Sequence, residues 1–167
     1  MFDASARETV AAVLYREALC LDRQDWDAWL ALYCDDVEYW IPAWKSEHSP
    51  TGDPASEGSL IYHTSRNSLA ERIMRIRSRK SVTAMPLPRT THLTSNILVE
   101  AQSETTIEAN SVWQVHVYDP RTARQYTHFG RVEHRLRKEA DGQWRIARKK
   151  TILVNDRVPT VIDFYTL

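Results

Sequence analysis

Four long runs of strand character fill the second half of the chain, at roughly 92–101, 105–118, 124–138 and 143–154. Two of their connections carry turn chemistry. "YDPRTAR" spans 118–124 and "EADGQW" spans 139–144, the latter holding Asp141-Gly142, so both read as hairpin turns. Gly130 sits inside the third run, where a kink or bulge is expected.

The first half reads differently. Ser5 and Glu8 have capping-box spacing, and Val10, Val13, Leu14, Ala18 and Leu21 recur at three- and four-residue steps, which predicts an amphipathic helix. A second, shorter helix is expected from Asp25, with Trp26, Trp29, Leu30 and Tyr33 on one core-facing side. Cys20 and Cys34 both fall in these helical segments and read as buried free thiols. In "DDVEYWIPAW" (35–44), Val37, Tyr39 and Ile41 alternate with Glu38 and Trp40, the period of a strand, until Pro42 stops regular pairing. Asp35 and Asp36 are expected in the turn that ends the preceding helix. The polar stretch 45–58 reads as a loop. A third helix is expected over 68–79, with Ser68 and Glu71 as a second capping box, until "MPLPR" breaks the chain at 85–89. Helices first and meander strands after make an α+β fold, and a long bent sheet wrapped over those helices makes a cone.

The 167 residues suit a single domain over 1–167. No apolar run approaches the ~20 residues that span a bilayer. "MFDASARETV" lacks a secretory pattern, which points to the cytoplasm and to no membrane. Net charge is zero, with 22 acidic and 22 basic side chains, which argues against nucleic acid as a partner.

Few constellations with chemistry survive inspection. A Rieske cluster needs paired Cys and His motifs, and Cys20 and Cys34 are followed two positions on by Asp22 and Asp36, so no C-x-H exists. A mononuclear iron site needs two His and a carboxylate on one metal face. His48, His63, His92, His116, His128 and His134 offer no helical pair. His116 and His128 flank a hairpin, and whether they share a face depends on the turn register. Four glycines cannot build a phosphate loop, and no nucleophile elbow is present. The reading from residues is therefore no catalytic, cofactor-binding or metal site in this chain. An acid–base alternative stays open, in which Asp36 works with His92 or His116 inside an apolar cone. The basic stripe Arg72, Arg75 and Arg79, with Arg66, Arg77 and Lys80, is either a solvated face or a subunit interface for an acidic partner.

Four segments, "EALCLDRQDWDAWLALYCDDVEYWIPAW" (17–44), "SRNSLAERIMRIRS" (65–78), "PRTTHLTSNILVE" (88–100) and "GQWRIARKKTILVND" (142–156), give the chain a specific likeness. It resembles the small (β) subunit of bacterial aromatic-ring-hydroxylating dioxygenases, of the benzoate/anthranilate type. The resemblance implies a nuclear-transport-factor-like cone, N-terminal helices against a long, curved, mostly antiparallel mixed sheet. It implies a β trimer inside an α3β3 hexamer. The partner α subunit would hold the Rieske 2Fe–2S cluster and a mononuclear Fe(II), and electrons would arrive from NADH through a reductase. The β subunit would carry neither metal and serve structure and assembly. The complete enzyme would dihydroxylate an aromatic carboxylate. Two other readings of the cone remain: a free-standing isomerase or dehydratase, and a small-ligand-binding protein.

Overall fold

The computed structural model describes residues 4–80, 85–155 and 157–167. Three residues of the N-terminal stretch discussed above, and Asp156 at the end of the last resembling segment, lie outside them. Helix α1 runs Ala4–Arg23 and α2 runs Trp26–Leu30. Strands β1 (Tyr33–Pro42), β2 (Trp44–Ser46), β3 (Ser49–Pro50) and β4 (Ser59–His63) follow. Helix α3 (Arg66–Arg77) leads to β5 (Arg89–Gln102), β6 (Thr106–Asp119), β7 (Arg124–Lys138) and β8 (Trp144–Leu153). A 3-10 turn, Phe164–Thr166, lies near the end. One six-stranded sheet has the order β4-β1-β8-β7-β6-β5, and β2 and β3 form a separate ribbon. Only the β1–β8 pairing in the large sheet is parallel. The architecture is the expected α+β cone.

Alternation sets the two faces of the sheet. Along β6, Ile107, Ala109, Ser111, Trp113, Val115 and Val117 are buried, and the residues alternating with them face out. The inner face closes on α1, α2 and α3 through Val10, Leu14, Trp29 and Leu69, all at most 2% exposed. Trp29 stacks on Phe164 with ring centroids 4.5 Å apart and meets Tyr33 edge-on at 4.9 Å. The C-terminal Phe164 and Leu167 are themselves core residues, so the tail plugs the cone. Burying one such large side chain contributes roughly 1.5–3 kcal/mol.

Several local expectations need correction. Helix α1 starts at Ala4, so Ser5 lies within it. Asp25 does cap α2, accepting from the Ala28 amide at 3.2 Å, but the helix ends at Leu30, and Tyr33 and Cys34 belong to β1. Asp35 and Asp36 are therefore strand residues and not helix-ending turn residues. The cap of α3 is Ser65 and not Ser68: its hydroxyl accepts from the Ser68 amide at 3.2 Å, which shifts the helix to 66–77 and leaves Arg79 beyond it with a φ of 51°. The polar segment 45–58 contains the β2–β3 ribbon, and β4 adds an edge strand that its short, mixed sequence does not announce. Trp40 is buried although it alternates with core residues, because β4 and Ser59 cover it. Gly130 pairs regularly with Trp113 and Leu153 and forms no bulge. Among the described residues, no helix is long and apolar enough to cross a membrane.

Candidate functional site

The residues of the acid–base alternative are not brought together. Asp36 points outward from β1 and is held by both terminal nitrogens of Arg137, at 2.6 and 3.1 Å. Those hydrogen bonds keep its carboxyl below the ordinary range. His92, on β5, sits with Nδ1 2.6 Å from Asp22 Oδ1, and its amide donates to the same carboxylate at 3.0 Å. Thr90 adds a third bond at 2.9 Å, so Asp22 fastens the end of α1 to β5. His116 faces solvent and meets Thr127 at 3.1 Å. The register pairs His116 with Thr127 and His128 with Val115, which puts these two histidines on opposite faces. His128 is buried and bonds the Thr166 carbonyl at 2.7 Å, pinning the C-terminal tail.

A different ionisable cluster occupies the interior. Glu17 of α1 accepts from Lys149 Nζ of β8 at 2.6 Å and from the Tyr33 hydroxyl of β1. The pair is sealed, with side-chain exposures of 7% for Lys149 and 6% for Glu17. His134 of β7 pairs with Lys149 across the sheet. Burial alone would raise the Glu17 carboxyl. The Lys149 ammonium, His134 and hydrogen bonds from Lys149 and Tyr33 outweigh it, and the net direction is down. Burial drives His134 down to about 3, so its imidazole is neutral at physiological pH and Lys149 carries the stabilisation of Glu17. A void of about 30 Å³ adjoins this cluster, bounded also by Ser111, Trp113 and Thr151. That equals one water's share of liquid volume and is far below the ~300 Å³ at which small-molecule pockets begin. An aromatic ring does not fit it.

Half of this cluster was legible in the sequence. Glu17 falls three residues after Leu14 and four before Leu21, on the apolar row of α1. Lys149 was hidden by a register shift. Leu136 pairs with Ile146 but Arg135 pairs with Arg148, so Ala147 is an extra residue and inward parity changes along β8.

His134 provides a pH signature. Its native pKa of about 3 lies below the ordinary value of 6.5, so between these the unfolded chain binds the extra proton. Stability is then full above pH 6.5 and falls as the pH drops towards 3. Between pH 7 and pH 5 this contributes a loss of about 2 kcal/mol. His134→Gln is expected to flatten that slope in urea titrations at the two pH values, leaving a smaller residue of the same sign from His63 and His128, which burial also lowers. Identical slopes in both proteins would contradict this role.

The basic stripe divides. Arg66 pairs with Asp35, Arg72 with Asp163 at 2.6 Å and Arg77 with Asp27 at 2.9 Å. Arg75 and Arg79 make no ion pair among the described residues. No group of three or more His, Cys, Asp or Glu side chains is arranged to hold a metal ion among the described residues. The thiols do not suit an iron–sulfur cluster. Cys20 and Cys34 are buried on different elements, and burial raises both, Cys34 to about 12, which disfavours the ligating thiolate.

The family model for the ring-hydroxylating β subunit matches residues 16–160. The chain belongs to that family. It is 38% identical over 156 residues to the anthranilate 1,2-dioxygenase small subunit of Acinetobacter baylyi, covering 93% of this chain and 94% of that one. It superimposes on the β subunit of benzoate 1,2-dioxygenase from Burkholderia mallei with a TM-score of 0.79 at 28% identity, covering 100% and 99% of the two chains. An NTF2-like protein with a cystatin-like fold from Novosphingobium aromaticivorans matches with a TM-score of 0.61 at 16% identity, over 92% and 84%, a likeness of fold. The interior of the cone is filled by its own side chains and by the C-terminal Phe164 and Leu167. Its outward surfaces are then where function must be sought.

Proposed function

We propose that this chain is the structural and assembly subunit of a Rieske non-haem iron dioxygenase that dihydroxylates an aromatic carboxylate of the benzoate or anthranilate kind. The observation that carries this reading is the end-to-end similarity to the anthranilate dioxygenase small subunit. The void of about 30 Å³ beside Glu17 and His134 supports it, being too small to hold an aromatic ring. The Rieske 2Fe–2S cluster and the mononuclear Fe(II) then reside in the large α subunit, supplied with electrons from NADH by a reductase. The assembly is an α3β3 hexamer around a β trimer, in the cytoplasm. The acid–base alternative needs Asp36 beside His92 or His116, whereas Asp36 is held by Arg137, His92 by Asp22, and His116 meets Thr127.

The outer face of the sheet is the surface we assign to subunit contact. Leu93, Val112 and Phe129 are 44%, 38% and 44% exposed, and the register places Leu93 and Phe129 on either side of Gln114. Apolar side chains grouped on an otherwise polar face mark association surfaces. Co-expression with a Rieske-type large subunit is expected to yield one complex with the mass of six chains. Phe129→Asp should abolish stable co-elution while the isolated chain keeps its unfolding midpoint. A chain that stays monomeric and never co-purifies with such a subunit would refute the assignment.

A further inference from the structure

A cleft of about 430 Å³ opens between the C-terminal half of α3, the segment 85–88, the β6–β7 turn and the tail at 160–166. This volume lies within the range of small-molecule pockets, roughly 300–1,000 Å³. Four arginines line it: Arg72, Arg75, Arg79 and Arg121. Two carboxylates do so as well, Asp163 in an ion pair with Arg72 and Asp119 bonded by neutral donors. Asp163 accepts from Arg72 at 2.6 Å and from the Phe164 amide at 2.8 Å. Asp119 accepts from the Arg121 amide at 2.9 Å and the Thr122 hydroxyl at 3.1 Å. Arg75, Arg79 and Arg121 line this one cleft with no ion pair among the described residues. The remaining walls are mainly apolar and aromatic, with Thr160 and Thr166 among them. Ile76, Leu87 and Val161 line them, Val161 at 85% exposure, and Tyr126 and Tyr165 add rings. Burial holds the Tyr165 hydroxyl up at about 12, so it stays protonated and able to donate.

We propose that this cleft is a binding site for a small aromatic monocarboxylate, its carboxylate held by Arg75, Arg79 and Arg121 and its ring set against Tyr126, Tyr165 and the aliphatic wall. A planar guanidinium fork matches a carboxylate in two-point geometry, and an aromatic wall selects a flat, apolar body. The demand for an anion follows from the arginines, while the choice of a carboxylate on an arene rests on the function proposed above. The stripe is then no flat docking face: two of its four candidate interface residues, Arg66 and Arg72, are engaged within the chain, and Arg75 and Arg79 serve a pocket.

Calorimetric titration of the purified full chain with benzoate, and with benzamide as its neutral counterpart, tests the site. One benzoate per chain is expected to bind with a Kd below about 1 mM, with benzamide at least about tenfold weaker. Arg75→Gln/Arg79→Gln should weaken benzoate at least about tenfold with an unchanged urea midpoint. Val161→Asp, which places a carboxylate at the rim, should weaken it too. No saturable binding up to about 10 mM overturns the proposal. So does equal binding of benzamide. A double variant that loses the large subunit, from a chain that never bound benzoate, overturns it in favour of an acidic segment of that partner. A chain that binds benzoate yet never joins a large subunit would refute the proposed function and leave this site standing.

Discussion

Lys149→Met is expected to destabilise the isolated chain by about 3–5 kcal/mol, because removing one member of a buried pair leaves an uncompensated charge. Domains of this size carry only about 5–15 kcal/mol in total, so the variant should lose about a fifth or more of its stability against urea. The Glu17 carboxylate would keep the Tyr33 hydroxyl as donor but lose the ammonium at 2.6 Å. With Lys149 gone, burial becomes the controlling influence on Glu17, and its carboxyl rises above the ordinary 4.5. A group raised on folding is penalised at high pH and relieved as it protonates, so the deficit of the variant should narrow between pH 7 and pH 5. Loss of the Lys149 charge also lets His134 rise, which acts in the same direction. Replacing the set together, Glu17→Leu/Lys149→Met/Tyr33→Phe, removes charge and donor at once. It should recover most of the loss, since apolar isosteres of a buried pair are neutral or stabilising. A Lys149→Met deficit under about 1 kcal/mol would show that water or another group compensates Glu17, and would sink the account of the interior.

The contrast between what the sequence revealed and what it hid follows from the range of each interaction. The four long strands were readable to within a few residues because alternation and turn residues are local: β6 keeps one inward parity from Ile107 to Val117, and Gly142 takes a φ of 80° where the turn requires it. The core role of Trp26 and Trp29 was equally local. The failures were long-range. His92 looked like a base until Asp22, 70 residues earlier, was seen to occupy its Nδ1. Asp36 looked like an acid until Arg137, 101 residues later, was found on it. Lys149 sat unnoticed in the basic run Arg148–Lys150, because one extra residue at Ala147 decides which of the three points inward. Capping misled for a smaller reason. Ser65 and Ser68 are both competent caps, and the chain entering α3 from β4 selects the earlier one.

Gly130→Ala is expected to be among the most damaging single changes in the sheet, at about 3 kcal/mol or more, the upper end of overpacking effects. Gly130 does not take a left-handed φ, so the conformational reason for a glycine that holds at Gly142 is missing here. Space is. A Cβ there would lie 1.9 Å from the Ile152 carbonyl oxygen, 3.0 Å from its carbon and 3.2 Å from the Val154 amide nitrogen. All three are backbone atoms of or beside β8, and no rotamer change moves them aside. The strand must shift bodily, and the first bond at risk is the one from the Val154 amide to the Phe129 carbonyl, 2.9 Å long. Loss of hydrogen-exchange protection at Val154 should therefore accompany the drop in urea midpoint. Gly142→Ala is the matched control, because nothing lies within 4 Å of its added Cβ and only its φ of 80° opposes the change. It should lose about 1–2 kcal/mol, the left-handed penalty, with Val154 protection intact. If Gly130→Ala proves as mild as Gly142→Ala, then β8 is pliant at its end, and its packing against β7 is looser than these distances require.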